Sequence, residues 1–385
     1  MPRRPLIVLA DDLTGAAELA AIAHQSGLHA VVLTTPPKGP VTADVIVCDT
    51  ATRLAKPAAA ARRVRELTLH LSRRPHAGFF KKTDSVLRGP VLAEIEACAG
   101  VLGLRRTLLV PCNPSLGRII NNGTYLIAGT PLHRTAFARD PHHPRHTSKV
   151  IDLLGPSPRL PVGCHHTADR TPTEGIVVGE ADTPADVALW VSRLDRHTLP
   201  AGGADFFRLW LVHMRAHRRV RTKESLPTGA ALTFSGTATP ANPVTPLPGP
   251  VEALDARALP APARLAARLQ EQLKVHGTAS VIMRGPPVET SGSPTAISRL
   301  FVRLADRLHD AKAFQHLLIA GGTTATGVLA VLGWDRLEVA HVWGPGVVTL
   351  RPARNPKLLV TLKPGSYAWP AALQNHYADL ARQVA

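Results

Sequence analysis

The stretch Phe80-Lys81-Lys82-Thr83-Asp84-Ser85-Val86-Leu87-Arg88-Gly89 decides how this chain is read. From Lys81 onward it gathers two lysines, a carboxylate, two hydroxyls and an arginine, between an apolar lead-in (Ala77, Phe79, Phe80) and an amphipathic run from Val91 to Val101. A strand that stops here before a helix puts those groups at the carboxyl end of a strand, where open α/β sheets hold ligands. The chain opens in the same way. Residues 5–10 read as a short buried strand, and Asp11-Asp12-Leu13-Thr14-Gly15-Ala16 starts the helix that follows. Two strand ends, one acidic and one basic, suggest two halves of a site for a polar, anionic small molecule.

Outward from these stretches, residues 29–34 and 44–48 read as strands, the second running into Asp49-Thr50-Ala51-Thr52-Arg53. A helix is expected over 58–71 and a strand over 107–110. Strands alternating with helices imply βαβ units and a mainly parallel sheet. Residues 111–146 then read as a long segment rich in Gly, Pro, Asn and His, and loops of that length inside a domain are usually functional. The α/β rhythm resumes with strand 175–178 and helix 185–194, and Pro200-Ala201-Gly202-Gly203-Ala204 leads into a helix ending near Met214. In the second half, strand 231–234 ends in Ser235-Gly236. Helix 262–275, strand 279–283, helix 295–311 and strand 316–319 follow, the last running into Ala320-Gly321-Gly322-Thr323. The fold class expected is two α/β domains with mainly parallel sheets facing an inter-domain cleft. Residues 1–216 form the first domain, 217–229 a charged linker broken by Pro227 and Gly229, and 230–385 the second.

Length supports that division, because 385 residues exceed the usual span of one core. The 45 basic against 28 acidic residues give +17, which points to an anionic partner. The excess is scattered arginine with few interleaved aromatics, so nucleic acid is disfavoured relative to an anionic metabolite. Four widely spaced cysteines favour reduced thiols over a disulfide framework. The opening apolar run is cut off by Asp11 and Asp12, and no run approaches the length of a membrane span. A cytoplasmic protein without membrane contact is expected, and a homodimer is compatible with the sequence.

Each motif has a plainer reading. Asp11-Asp12 could serve as an N-cap pair. Lys82, Asp84 and Arg88 could form a surface ion-pair cluster. Gly321-Gly322 could make only a tight turn, or could offer exposed amides at a helix N-terminus to a phosphate. There is no GxxxxGK[ST] loop and no proper GxGxxG. The histidines at 142, 143 and 146, with His165 and His166, match no closed zinc set, and no metal-ligating residues are assigned. For an acidic polyol, Arg and Lys would bind the carboxylate while Asp12 or Asp84 accepts a hydroxyl proton.

Taken together, residues 10–16 and 81–89 resemble two stretches typical of the four-carbon acid sugar kinase family. Asp49 to Arg53, Gly117-Arg118 with Gly123, and Phe137 to Pro141 continue the resemblance, followed in order by Ser235-Gly236, Gly321-Gly322, Pro345-Gly346 and the Lys363-Pro364-Gly365-Ser366-Tyr367 segment. The resemblance implies an ATP-dependent kinase acting on an erythronate-, threonate- or 2-oxo-tetronate-like acid, with magnesium. It implies catalytic roles for Asp12 and Asp84, and substrate binding by Asp11, Arg53, Lys82, Ser85, Arg88 and Arg118. Nucleotide binding would fall to Ser235, Gly321, Gly322, Thr323, Gly344, Gly346 and Lys363. Departures concentrate in the nucleotide half. Thr323 stands where the family usually has an acid, and Pro-Gly-Ser-Tyr after Lys363 replaces a Ser-Gly-Gly-Phe run. The competing expectation is a catalytically impaired member that binds a sugar acid as a sensor or partner protein.

Overall fold

A computed structural model describes residues 4–140, 142–157, 159–214, 216, 226, 228–236, 246–255, 257–284, 293–365 and 367–384. The chain divides into two compact units, Met1–Ala30 with Thr35–Arg221, and Val31–Thr34 with Thr222–Ala385. Most of the expected linker, 217–225 and 227, lies outside the described residues.

The chain opens with β1 (Leu6–Ala10), α1 (Leu13–Gln25), β2 (Ala30–Leu33), β3 (Val45–Asp49), α2 (Pro57–Ser72), β4 (Gly78–Lys82), α3 (Val91–Leu102) and β5 (Arg106–Val110). Next come β6 (Arg118–Asn121), β7 (Thr124–Ile127), β8 (Thr130–Pro131), α4 (Val150–Leu154), β9 (Val162–His165), β10 (Gly175–Gly179), α5 (Pro184–Ser192), β11 (Thr198–Gly202) and α6 (Ala204–His213). The main sheet of the first unit runs β3-β1-β4-β11-β5-β10-β9, with every pairing parallel. Its central strands are largely apolar, as expected where helices cover both faces of a parallel sheet; all five residues of β1 and β3 are buried. Phe80 of β4 packs against Phe206, Phe207 and Trp210 of α6 at ring separations of 5.9, 5.0 and 5.4 Å. Each such ring withdrawn from water contributes roughly 1.5–3 kcal/mol, so the strand that carries the basic tip is firmly seated.

Two expectations change here. Residues 111–146 are not a structureless loop, because β6, β7 and β8 form a separate antiparallel sheet followed by short 3-10 turns. The Pro200-to-Ala204 lead-in is instead strand β11, inserted between β4 and β5.

The second unit continues with β12 (Ala231–Ser235), β13 (Val251–Asp255), α7 (Pro262–His276), β14 (Thr278–Arg284), α8 (Ser293–Asp310), β15 (His316–Ala320), α9 (Gly322–Val331), β16 (Arg336–Gly344), β17 (Val347–Pro352), β18 (Leu359–Lys363) and α10 (Ala371–Val384). Its strand order is β13-β14-β12-β15-β18-β17-β16-β2. The first five of these strands are mutually parallel, whereas β17, β16 and β2 each run antiparallel to the preceding neighbour. The residues that complete this edge, Val31 to Leu33, come from the start of the chain. On one side of the sheet Phe234 stacks on Phe301 of α8 at 4.9 Å, while Leu373 and Tyr377 of α10 join Ala231, Leu318 and Val347 in a separate core cluster.

Candidate active site

In the first unit, the parallel register sets Ala10 of β1 opposite both Lys82 of β4 and Asp49 of β3. The loops after these three strands therefore leave the sheet side by side. The β3 loop is stitched to β1: Thr50 donates its N–H and its hydroxyl to Ala10 O, each at 2.8 Å, and the N–H groups of Thr52 and Arg53 both donate to Asp11 O. That delivers Arg53 into the acidic loop, where Nε meets Asp11 Oδ2 at 2.7 Å and Nη1 meets Asp12 Oδ2 at 2.6 Å. Nη1 also lies 3.6 Å from Asp84 Oδ1, so one guanidinium joins all three loops.

Asp12 performs the capping task that its position suggested. Its Oδ1 accepts the Gly15 N–H at 2.8 Å and its Oδ2 the Thr14 hydroxyl at 2.7 Å, which fixes the start of α1. Asp84 is more heavily used still. Arg88 grips it with Nε at 3.0 Å and Nη2 at 2.8 Å, and the N–H groups of Val86 and Arg88 add two more bonds. The third nitrogen of Arg88 reaches Asp140 Oδ2 at 2.8 Å. Phe137 lies under both remaining cations, with the guanidinium of Arg88 5.4 Å and that of Arg118 5.9 Å from its ring centre. Arg118 itself donates Nη1 to Ser85 Oγ and pairs with no carboxylate among the described residues.

Successive residues of a strand face opposite sides, and the two lysines follow that rule. Lys81 is fully buried and its ammonium meets Glu94 of α3 at 2.6 Å. Lys82 turns to α1, where Nζ lies 3.4 Å from Glu18 Oε2. A Cβ placed on Gly15 would come within 2.8 Å of Asp12 Oδ1 and 3.4 Å of Lys82 Nζ, so the first turn of α1 has room only for glycine there. The structure thus brings Asp11, Asp12, Arg53, Asp84 and Arg88 into one constellation with Ser85 and Arg118 beside it, and it commits Lys82 to the α1 side.

The charges set the titration of these groups. Burial pushes the Asp11 carboxyl up, but Arg53 and then Lys81 outweigh it and hold it below the usual range. Burial opposes ionisation of Asp84 too, and Arg88 with Arg53 overcomes it, leaving Asp84 well below the ordinary carboxylate value. Two other carboxyls move the other way, burial outweighing the cation beside each. Glu94 is raised by burial against the pull of Lys81. Asp49 is raised to about 7, first by burial and then by the neighbouring Asp12 and Asp11.

Strain and close approach mark the same loops. Ala51 (φ 48°) and Leu87 (φ 62°) occupy the left-handed region without being glycine. Gly89 (φ 85°) lies so near Arg53 that a Cβ would meet Arg53 O at 2.8 Å. That same carbonyl bonds His143 Nε2 at 2.9 Å. From the sequence, Glu94, Glu18 and His143 had no expected part here, and Asp49 appeared as a strand end and within the Asp49-to-Arg53 resemblance but with no role of its own. Two carboxylates, Glu94 and Glu96, interrupt the mostly apolar run 91–101, and that interruption was the available signal for Glu94.

In the second unit the adjacent strands β12, β15 and β18 align Ser235 with Ala320 and Ala320 with Lys363. Gly321, at φ 106°, caps α9 and donates its N–H to Lys363 O at 2.9 Å. The first-turn N–H groups that follow, from Gly322 and the exposed Thr323, have no partner within the helix. The β16–β17 turn reaches the same edge, because β17 runs antiparallel to β18. A Cβ on Gly346 (φ 68°) would meet the ring of Tyr367 at 3.1 Å and Pro364 at 3.4 Å. Ser235, Gly321, Gly322, Thr323, Gly344, Gly346 and Lys363 therefore share one edge of this unit. Lys363 folds its ammonium onto the carbonyls of Pro364 and Tyr367, over the Trp369 ring at 5.1 Å, and burial lowers its pKa to about 8. Among the described residues there is no group of three His, Cys, Asp or Glu side chains able to hold a metal ion, and no helix long and apolar enough to cross a membrane.

The fold defines an α/β protein with a cluster of charged side chains at the strand ends of one unit and glycines with helix-start amides at the strand ends of the other. Comparison with known proteins is specific: residues 6–188 match a sugar-binding N-terminal domain and residues 250–367 a nucleotide-binding C-terminal domain. The chain belongs to the four-carbon acid sugar kinase family. It is 33% identical over 163 residues to a D-erythronate kinase of Heliobacterium modesticaldum (41% of this chain, 37% of the relative), and 30% identical over 200 residues to a D-threonate kinase of Salmonella typhimurium (48% and 47%). These matches span less than half the length of either relative. A 3-oxo-tetronate kinase of Methylobacterium radiotolerans is 27% identical over 417 residues, covering 93% of this chain and 95% of the relative. Crystal structures of proteins from Haemophilus influenzae (TM-score 0.71, covering 97% of this chain and all of that one) and Salmonella typhimurium (TM-score 0.77, covering 97% and 98%) share the fold at 18% identity.

Proposed function

We propose that this chain is a cytoplasmic, ATP-dependent kinase that phosphorylates a hydroxyl of a four-carbon sugar acid of the erythronate, threonate or oxo-tetronate class. The observation that carries this reading is the division of charge in the first unit. Arg53 and Arg88 are spent on Asp11, Asp12, Asp84 and Asp140, and Arg118, held by Ser85 and Phe137, keeps donors to spare. A ligand with hydroxyls at one end and a carboxylate at the other matches a carboxylate-rich tip beside one uncommitted guanidinium. Four free cysteines, three of them buried, agree with a reducing compartment.

The second unit suits the donor. Amides at the start of α9, the glycines at 321, 322, 344 and 346, Ser235 and Lys363 would hold the phosphates, with backbone N–H groups taking the negative charge. Bound there, ATP supplies a γ-phosphoryl group for transfer. The residues named at this edge include no carboxylate, so magnesium would be held through the nucleotide's own phosphates. In the first unit the residues orient the acceptor and neutralise its carboxylate, which is most of what phosphoryl transfer asks of a protein.

Thr323 in place of an acid, and a Lys363 ammonium turned onto its own loop, favour one rival, a sugar-acid sensor without turnover. A coupled ADP-release assay across four-carbon sugar acids, run with thermal melts, separates the two. Turnover of at least one acid, with melting raised by that acid and also by ATP with magnesium, is the expected result. Stabilisation by an acid, no response to ATP and magnesium, and no ADP release would establish the sensor instead.

A further inference from the structure

We propose that Asp49 is the proton acceptor for the attacking hydroxyl of the substrate, while Asp12 and Asp84 build the site around it. The inference rests on the kinase reading and follows from an inventory of carboxylate oxygens at the three strand tips. Asp84 accepts four hydrogen bonds and is clamped between two guanidiniums. Both oxygens of Asp12 are occupied, by the helix cap, Thr14 and Arg53. Asp11 gives Oδ2 to Arg53, and its Oδ1 is sealed from solvent with no donor. None of the three has a basic oxygen to offer.

Asp49 differs. It ends β3 in direct register with Ala10, one residue before Asp11, and among the described residues a single donor reaches it, the Ala51 N–H at 2.7 Å on Oδ1. The loop that follows is fixed by its four bonds to Ala10 O and Asp11 O, and Ala51 is held at φ 48° to make the turn. The charged groups facing Asp49 are Asp11 and Asp12 from the β1–α1 loop and Arg53 from its own loop. Burial, reinforced by the two aspartates, raises its carboxyl to about 7, so near neutrality it exists in both forms, as an efficient base requires. In the step assigned to it, ionised Asp49 takes the hydroxyl proton. The hydroxyl oxygen forms its bond to the γ-phosphorus, the bond from that phosphorus to the β,γ-bridging oxygen breaks, and the electron pair leaves with ADP. Asp49 then releases its proton to solvent.

The test compares the full-length wild type with Asp49→Asn and Asp49→Glu, measuring kcat and KM from about pH 5 to about pH 9 alongside thermal melts. Asparagine mimics the protonated acid, so the fold is expected to survive. For Asp49→Asn, kcat should fall by about 100-fold or more with KM changed less than about threefold, and the acid limb of the wild-type profile near pH 7 should disappear. Asp49→Glu should recover part of the rate together with the limb. Asp49→Asn should also melt a few degrees above wild type near pH 8.5, the gap narrowing below about pH 7 and closing only near about pH 4, since the unfolded wild type ionises at the ordinary carboxylate value while its buried Asp49 resists ionisation. An Asp49→Asn enzyme within about fivefold of wild-type kcat with its acid limb intact, or melting curves whose difference ignores pH, overturns the assignment. A wild type that releases no ADP with any acid overturns the kinase reading itself, and this role with it.

Discussion

The strand ends of the two units are built by different means. In the first unit, side chains from three loops satisfy one another: Arg53 joins Asp11, Asp12 and Asp84, Arg88 joins Asp84 and Asp140, and Lys81 is sealed against Glu94. In the second, the edge is made of glycines, a helix start and one lysine bound to main-chain carbonyls. A polyol acid must be recognised group by group, which needs directional side chains held in place. Phosphates present oxygens on all sides, and backbone N–H groups suffice. The first arrangement is interdependent, so losing one member strands another. The second is modular, and a change there stays local.

The sharpest way to break this comparison is at the buried pair. Glu94→Gln leaves the Lys81 ammonium without a counter-charge and should cost about 3–5 kcal/mol, read as a lowered urea midpoint, whereas adding Lys81→Met should restore most of the loss. If the single and double variants unfold alike, the charges of the first edge are not interdependent. A second, smaller effect tests which cation is free. Arg118→Ala removes a charge-assisted contact of about 1.5–3 kcal/mol and should raise KM for the acid roughly 10- to 100-fold with the melting temperature unchanged. Equal sensitivity at Arg88 with an intact fold would contradict the pairing scheme. The smallest effect is expected in the second unit. Gly346→Ala forces a Cβ into a φ of 68° beside Tyr367 and should cost on the order of 1 kcal/mol, reducing the melting shift given by ATP and magnesium while leaving that given by the acid intact.

How much of this was legible in the sequence depends on the range of the interactions. The tips of β1 and β4 could be read because an apolar run that stops at a cluster of charges is a local signal. β11 could not, because Pro200 and Gly202 contradict a central strand. The structure accommodates them by starting the β4 ladder only at Ala201, past the proline, and by letting Gly202 approach Val110 O where any Cβ would sit at 2.0 Å. The strands β6 to β8 are two to four residues long and end at Asn122, Gly123, Ala128 and Gly129 turns, too short for alternation to register. No strand was assigned to residues 336–363; β16 is half-buried almost throughout and shifts register twice, so it lacks a period of two. Within the site, Asp84 and Arg88 lie four residues apart and were visible as a pair. The convergence of Arg53 on three aspartates and of Glu94 on Lys81 depends on tertiary register, which no local pattern encodes.

The β2 pairing also bears on how the polypeptide is made. Val31 to Leu33 leave the ribosome early, yet their partners in the second unit, Arg336 to Glu338, are synthesised about 300 residues later, so this edge is among the last contacts available to the nascent chain. Until then β2 has no β16 strand to pair with. A fragment beginning at Thr222 would keep that border open for good, inviting edge-to-edge self-association, and supplying residues 28–35 as a separate peptide should suppress it.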